Sequence, residues 1–165
     1  MNRYRTTVRL AFALLALMAF AGTAAAGQQV PFKGKLEGTV TRTPVPDSPN
    51  VVFVLVEGGG TGTHLGQFSF AVPHYVDSVA RTAEGDYEFV AANGDTVTAH
   101  FTGAARPTAT PGVLLIQETA TITGGTGRFA GATGSFVVER LYDTAAGTTA
   151  GSFDGTISSP GANKG

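Results

Sequence analysis

The sequence predicts an all-β domain: a closed antiparallel barrel of about eight strands joined by hairpins, with a cleaved export signal in front. Three observations carry that prediction. Short runs rich in Val, Thr, Phe and Tyr alternate with a period of two, and no window after the N-terminal stretch sustains a helical period. Gly, Pro, Asn and Asp cluster between the runs, at spacings that suit hairpins and leave no crossover helices. Glycines recur on apolar faces, with Gly34 and Gly38 beside Leu36 and Val40, and Gly151 and Gly155 beside Phe153 and Ile157, which sharply bent strands require. A meander of this size closes on itself or exposes two edges, and closure is the usual solution. An immunoglobulin-like sandwich is the competing architecture, but the chain has no Cys and no Trp with which to build its core.

In chain order, strands are expected near residues 33–41, 51–57, 64–76, 87–92, 96–103, 113–123, 134–142 and 148–158. Asn93-Gly94-Asp95 is the strongest hairpin signal, because Asn-Gly supplies the positive φ of a type I′ turn. Residues 143–147 read as a longer hairpin turn. The proline-bearing stretches 43–49 and 106–111 read as loops, since proline withholds a ladder donor. The glycine-rich stretch 58–62 also reads as a loop; no Lys-Ser/Thr follows it and no helix opens there, so it is not a phosphate cradle.

Arg3, Arg5 and Arg9 precede an almost unbroken apolar run, Leu10 to Ala21, and Ala24-Ala25-Ala26 supplies small residues for a signal peptidase. The run is shorter than the roughly 20 residues of a membrane span, so residues 1–26 are expected to be a signal peptide. Cleavage after Ala26 leaves residues 27–165 as one domain, exported to a periplasm or beyond the cell, with no membrane span. Without cysteine, that domain is held by packing alone. The net charge is −1 and no basic stripe is present, which excludes a nucleic-acid partner.

Residues 123–136 are the most informative stretch. Five glycines there, in Thr-Gly-Gly-Thr-Gly-Arg-Phe-Ala-Gly-Ala-Thr-Gly-Ser-Phe, permit left-handed backbone and close chain approach between two alternating runs. The pattern resembles the signature turn of the allene oxide cyclase barrel-like superfamily, which includes plant dirigent proteins and many small exported bacterial proteins. Thr63-His64-Leu65-Gly66 and the stretch from Gly151 to Ile157 strengthen the resemblance. It implies a closed antiparallel barrel with an apolar lumen and no metal or organic cofactor. Plant members cyclise a fatty-acid epoxide or steer the coupling of phenoxy radicals, and some bacterial relatives fold a polyene into a ring. The matching residues form a turn, and the resemblance assigns no catalytic residue in this chain.

Candidate chemistry comes from strand facing. His64, Gly66, Phe68, Phe70, Val72 and His74 share one side of the third strand, so both histidines are expected at the lumen or its mouths, where imidazole can act as acid or base. Their competing role is that of rim histidines bonded to loops. Glu118 interrupts the apolar row of Leu114, Ile116, Ala120 and Ile122, and a buried carboxylate must find a partner. If Ile122 opposes Gly134, then Glu118 faces Val138 and Arg140 becomes its diagonal neighbour. An ion pair that fixes register competes there with a catalytic or ligand role. The catalytic candidates are therefore Glu118, Arg140 and His64, and Phe68, Phe70, Phe89, Ile116, Tyr142 and Phe153 are expected to line the lumen. His100 shares a polar face with Thr96, Thr98 and Thr102; the three histidines lack metal-ligand spacing, and no metal site is expected.

The leading functional reading is an exported barrel binding a small apolar molecule in its lumen. One alternative is a cofactor-free cyclase, isomerase or dirigent-type protein that uses Glu118, Arg140 or His64 for proton transfer or charge stabilisation. The other is a filled structural barrel at the cell surface with no ligand. Lumen volume separates them: space beside Glu118 favours the first two, and a lumen packed solid with phenylalanine favours the third.

Overall fold

A computed structural model describes residues 27–158 and 160–161, so the expected signal peptide at 1–26 lies outside the described residues. Eight strands follow in order: β1 (Gln29–Pro44), β2 (Val51–Gly62), β3 (Gly66–Asp77), β4 (Thr82–Ala91), β5 (Thr96–Pro107), β6 (Val113–Gly125), β7 (Gly134–Asp143) and β8 (Thr148–Ser158). Each pairs antiparallel with its neighbours, and β8 returns to β1 to close the barrel. Closure removes every edge, so each backbone donor and acceptor within the strands has a ladder to join. Among the described residues, no helix is long and apolar enough to cross a membrane.

Alternation sets which side chains face inward. On β3, Phe68, Phe70, Val72 and His74 are buried while Gln67, Ser69, Pro73 and Tyr75 are exposed. On β7, Phe136, Val138, Arg140 and Tyr142 point in, which leaves Val137 and Leu141 on the outer surface. The strand pairing β6–β7 sets Ile122 opposite Gly134, Glu118 opposite Val138 and Ile116 opposite Arg140, the register expected from the sequence.

Differences from the expected elements lie at strand ends. The glycine stretch 58–62 is not a loop but the second half of β2, paired with β1 and β3. Close approach explains it: a Cβ on Gly60 would collide with the Lys35 carbonyl and the Phe68 ring. β1 and β5 run on to Pro44 and Pro107, into stretches expected as loops, because a proline at a strand end interrupts little of the ladder. β4 starts at Thr82, earlier than alternation indicates, because residues 82–85 pair with 74–77 of β3 despite their polar sequence. β3 begins at Gly66 rather than at residue 64. The Asn93-Gly94 connection is a hairpin, but only Gly94 has a positive φ, 85°, so it is not the type I′ turn expected.

The signature segment is a plug as well as a connection. After β6 a single 3-10 turn, Gly127–Phe129, seats Phe129 and Ala132 in the end of the barrel, both buried. Backbone N–H of Arg128 donates to the Asp95 carboxylate at 3.1 Å, tying the segment to the β4–β5 hairpin. Gly127 has φ of 56°, and a Cβ there would run into that carboxylate. Gly127→Val is therefore expected to cost about 1–3 kcal/mol through backbone strain and displacement of Asp95. Denaturant melts check it, and an unchanged midpoint would show the connection to be slack.

Beyond the plug, aromatic rings fill that half of the barrel. Phe89 is fully buried, with ring centroids of Phe32, Phe68, Phe136 and Phe153 at 6.1, 5.4, 5.8 and 5.5 Å. Tyr87 stacks on it at 5.3 Å, with ring planes 4° apart. The packing stops there, and the other half of the lumen is open.

Candidate functional site

The open half is a cavity of about 260 Å³. Apolar side chains, Val40, Val54, Val56, Leu114 and Ile116 among them, form its walls. His74, Glu118 and Arg140 also line it, and Arg42 and Arg81 stand on its exposed rim. An apolar cavity of roughly 150 Å³ already takes up benzene, so this volume suits a molecule larger than one ring.

Glu118 and Arg140 meet across β6 and β7 as a buried two-point pair. Arg140 Nη2 donates to Glu118 Oε1 at 2.7 Å, and Nε donates to Oε2 at 3.3 Å. Tyr87, reaching over from β4, donates its hydroxyl to the same Oε2 at 2.5 Å. Arg140 Nη1 donates to the Thr149 hydroxyl at 3.3 Å, and that hydroxyl donates on to the Leu141 carbonyl at 2.8 Å. Bidentate geometry and added donors are what make a buried ion pair tolerable. Burial by itself would lower the Arg140 pKa, but the charge of Glu118, the neighbouring Tyr87 and the hydrogen bonding of both together offset it and hold the guanidinium above its ordinary value. Burial, and then the negative charge of Glu118, push the Tyr87 phenol well above its usual range. Three donors occupy this carboxylate, so Glu118 is better placed to orient Arg140 and polarise Tyr87 than to exchange protons with a ligand.

His74 lies on β3 in the same cavity, 5% exposed, its ring edge-on to Phe101 at 5.5 Å. Its Nδ1 lies 2.9 Å from the Val72 carbonyl oxygen. Burial lowers its pKa, an effect the Val72 hydrogen bond opposes only in part, so the neutral ring is favoured.

Each of these three polar side chains has a glycine directly across the ladder: Gly85 opposite His74, Gly103 opposite Glu118, and Gly151 opposite Arg140. None of the three glycines has positive φ. Their role is space. A Cβ on Gly85 would stand 2.5 Å from His74 Cβ, one on Gly103 would stand 2.5 Å from Glu118 Cγ, and one on Gly151 would crowd Arg140 Cβ at 2.5 Å. Small residues beside large ones let a narrow barrel hold bulky polar groups inside.

Of the catalytic candidates, the fold brings Glu118 and Arg140 together in the lumen and leaves His64 outside. His64 occupies the turn before β3 with φ of 63°, and is exposed. Alternation does not reach it: the left-handed turn at 64 and 66 breaks the phase that Phe68 and Phe70 establish, and it is Leu65 that is buried. Phe68, Phe70, Phe89 and Phe153 face inward but fill the closed half, whereas Ile116 and Tyr142 line the cavity. His100 is on the outer surface, 3.0 Å from Asp86. Sequence reasoning missed Tyr87 and Thr149. Tyr87 was findable, since it lies two residues before Phe89 and so shares its face.

No family profile and no curated protein matches the sequence. The barrel does match a solved structure, that of the pterocarpan synthase dirigent protein GePTS1, with a TM-score of 0.53. The match covers 92% of this chain and 98% of that one. The chain has a dirigent-like barrel. Identity is 12%, so the likeness is one of fold, and the chemistry of the dirigent-like barrel must be argued from its own lumen.

Proposed function

We propose that this protein is an exported carrier or receptor that takes one small apolar molecule into the open half of its barrel. One observation carries the reading: the lumen is packed solid with rings on one side and left as an apolar cavity of about 260 Å³ on the other. A filled structural barrel would need no such space. Binding a molecule there replaces water against valine, leucine and isoleucine walls, which is favourable in proportion to the apolar area covered. The signal-like N-terminus, Arg3 to Ala26, supports export.

The second reading is a dirigent-type or allene oxide cyclase-like protein that holds a reactive molecule in one productive conformation. The buried Glu118–Arg140–Tyr87 cluster favours it, because fixed dipoles at the end of an apolar cavity can stabilise charge that develops during a reaction. The structural neighbour, a pterocarpan synthase by name, agrees with that reading at the level of fold.

Native mass spectrometry of the protein exported by its own host tests both parts of the proposal. The expected spectrum shows a chain beginning at Gly27, with a fraction carrying one small neutral adduct that collisional heating removes. A bare chain that also takes up no hydrophobic probe would reject lumen binding, and a chain retaining residues 10–20 would reject signal cleavage.

A further inference from the structure

The interior histidine has a defined chemical face. Val72 O is a carbonyl and can only accept, so the Nδ1 that meets it at 2.9 Å must carry the proton. In the neutral ring this leaves Nε2 as a bare lone pair. Among the described residues no protein donor meets Nε2, although the residue is only 5% exposed and lines the open half of the lumen. The surroundings are built for the ring: Gly85 opposite gives it room, Val54 flanks it from β2, and Phe101 stands edge-on at 5.5 Å. The charged groups deepest in the cavity are either donors or already occupied, and the Tyr142, Ser78 and Thr82 hydroxyls on its lining can donate as well as accept. Arg140 has five N–H groups, three of them with protein acceptors, and Glu118 is already occupied by Arg140 and Tyr87. His74 Nε2 is thus a vacant acceptor, bare of protons, opening on an apolar cavity, and a ligand that covers it without offering a donor leaves a costly unmet hydrogen bond.

We propose that His74 Nε2 is the hydrogen-bond acceptor that selects the lumen ligand, and that the ligand is a compact apolar molecule bearing a neutral hydroxyl donor. This rests on the lumen-binding reading and adds to it the polarity of the ligand. A hydroxyl donates to Nε2 while its carbon skeleton lies against Val54, Leu114 and Ile116. A ketone or ether of the same shape covers the same walls but leaves Nε2 unmet. A carboxylate, whatever charge it met at the rim arginines Arg42 and Arg81, would offer no proton to the imidazole.

The test uses two bicyclic probes with one skeleton, borneol with a hydroxyl and camphor with a carbonyl, titrated calorimetrically into the mature protein near neutral pH. Borneol is expected to bind about tenfold more tightly, the size of one buried hydrogen bond left unmade. His74→Phe keeps an apolar ring and should bring the two affinities level. Equal affinities in the parent protein, or a borneol preference that survives in His74→Phe, overturn the proposal while leaving lumen binding intact. Failure of both probes to bind overturns lumen binding itself. If His74→Phe does not fold, nitrogen NMR of the parent protein decides: Nε2 should be unprotonated and should shift on addition of borneol but not of camphor. A protonated Nε2, or no borneol-specific shift, overturns the proposal.

Discussion

Arg140→Met is expected to destabilise the protein by about 3–5 kcal/mol, and the double change Glu118→Gln with Arg140→Met by less than that. The reason is the asymmetry of a buried pair. With Arg140 gone, the carboxylate keeps only the Tyr87 hydroxyl as a protein donor and stands charged in an apolar lumen. With both charges gone, the carboxamide at position 118 can still accept from Tyr87, and the thioether chain at position 140 fills the space against Gly151. A double-mutant cycle by urea denaturation measures the coupling directly. Strict additivity would show that the two side chains do not depend on each other, and the pair would then lose its role as the anchor of register between β6 and β7.

The second large effect is expected in the filled half. Phe89→Ala should cost about 3–5 kcal/mol, since it removes a fully buried ring held between Tyr87 and five phenylalanines and leaves a void that closed strands cannot collapse around. Ile116→Ala should cost clearly less, because Ile116 borders space that already exists. Equal losses at the two positions would contradict the division of the lumen into a packed half and an open half.

Strand number, order and the β6–β7 register were legible in the sequence because period-two alternation and glycine punctuation are local signals, and in an antiparallel meander local order is also spatial order. The Glu118–Arg140 pair was legible for the same reason: one hairpin fixes both facings. Legibility ended where geometry is set between non-neighbours. His64 kept the phase of β3 on paper, but a left-handed turn at the strand entrance rotates it to the outside. The glycine stretch of β2 looked like a loop because its partners, the Lys35 carbonyl and the Phe68 ring, come from other strands. Facing also cannot distinguish a phenylalanine that fills a lumen from one that lines a cavity. Phe89 and Ile116 both point inward, and only the closed barrel shows that six aromatic rings meet around one and space around the other.

The most direct measurement of the half-open lumen is a crystal structure of the mature protein under xenon pressure. Xenon enters apolar cavities of this size without needing a polar partner. A single interior peak bounded by Val54, Leu114 and Ile116 is expected, with no xenon among Phe32, Phe89 and Phe153. Side chains closed over the space beside Glu118, with no interior xenon, would contradict it.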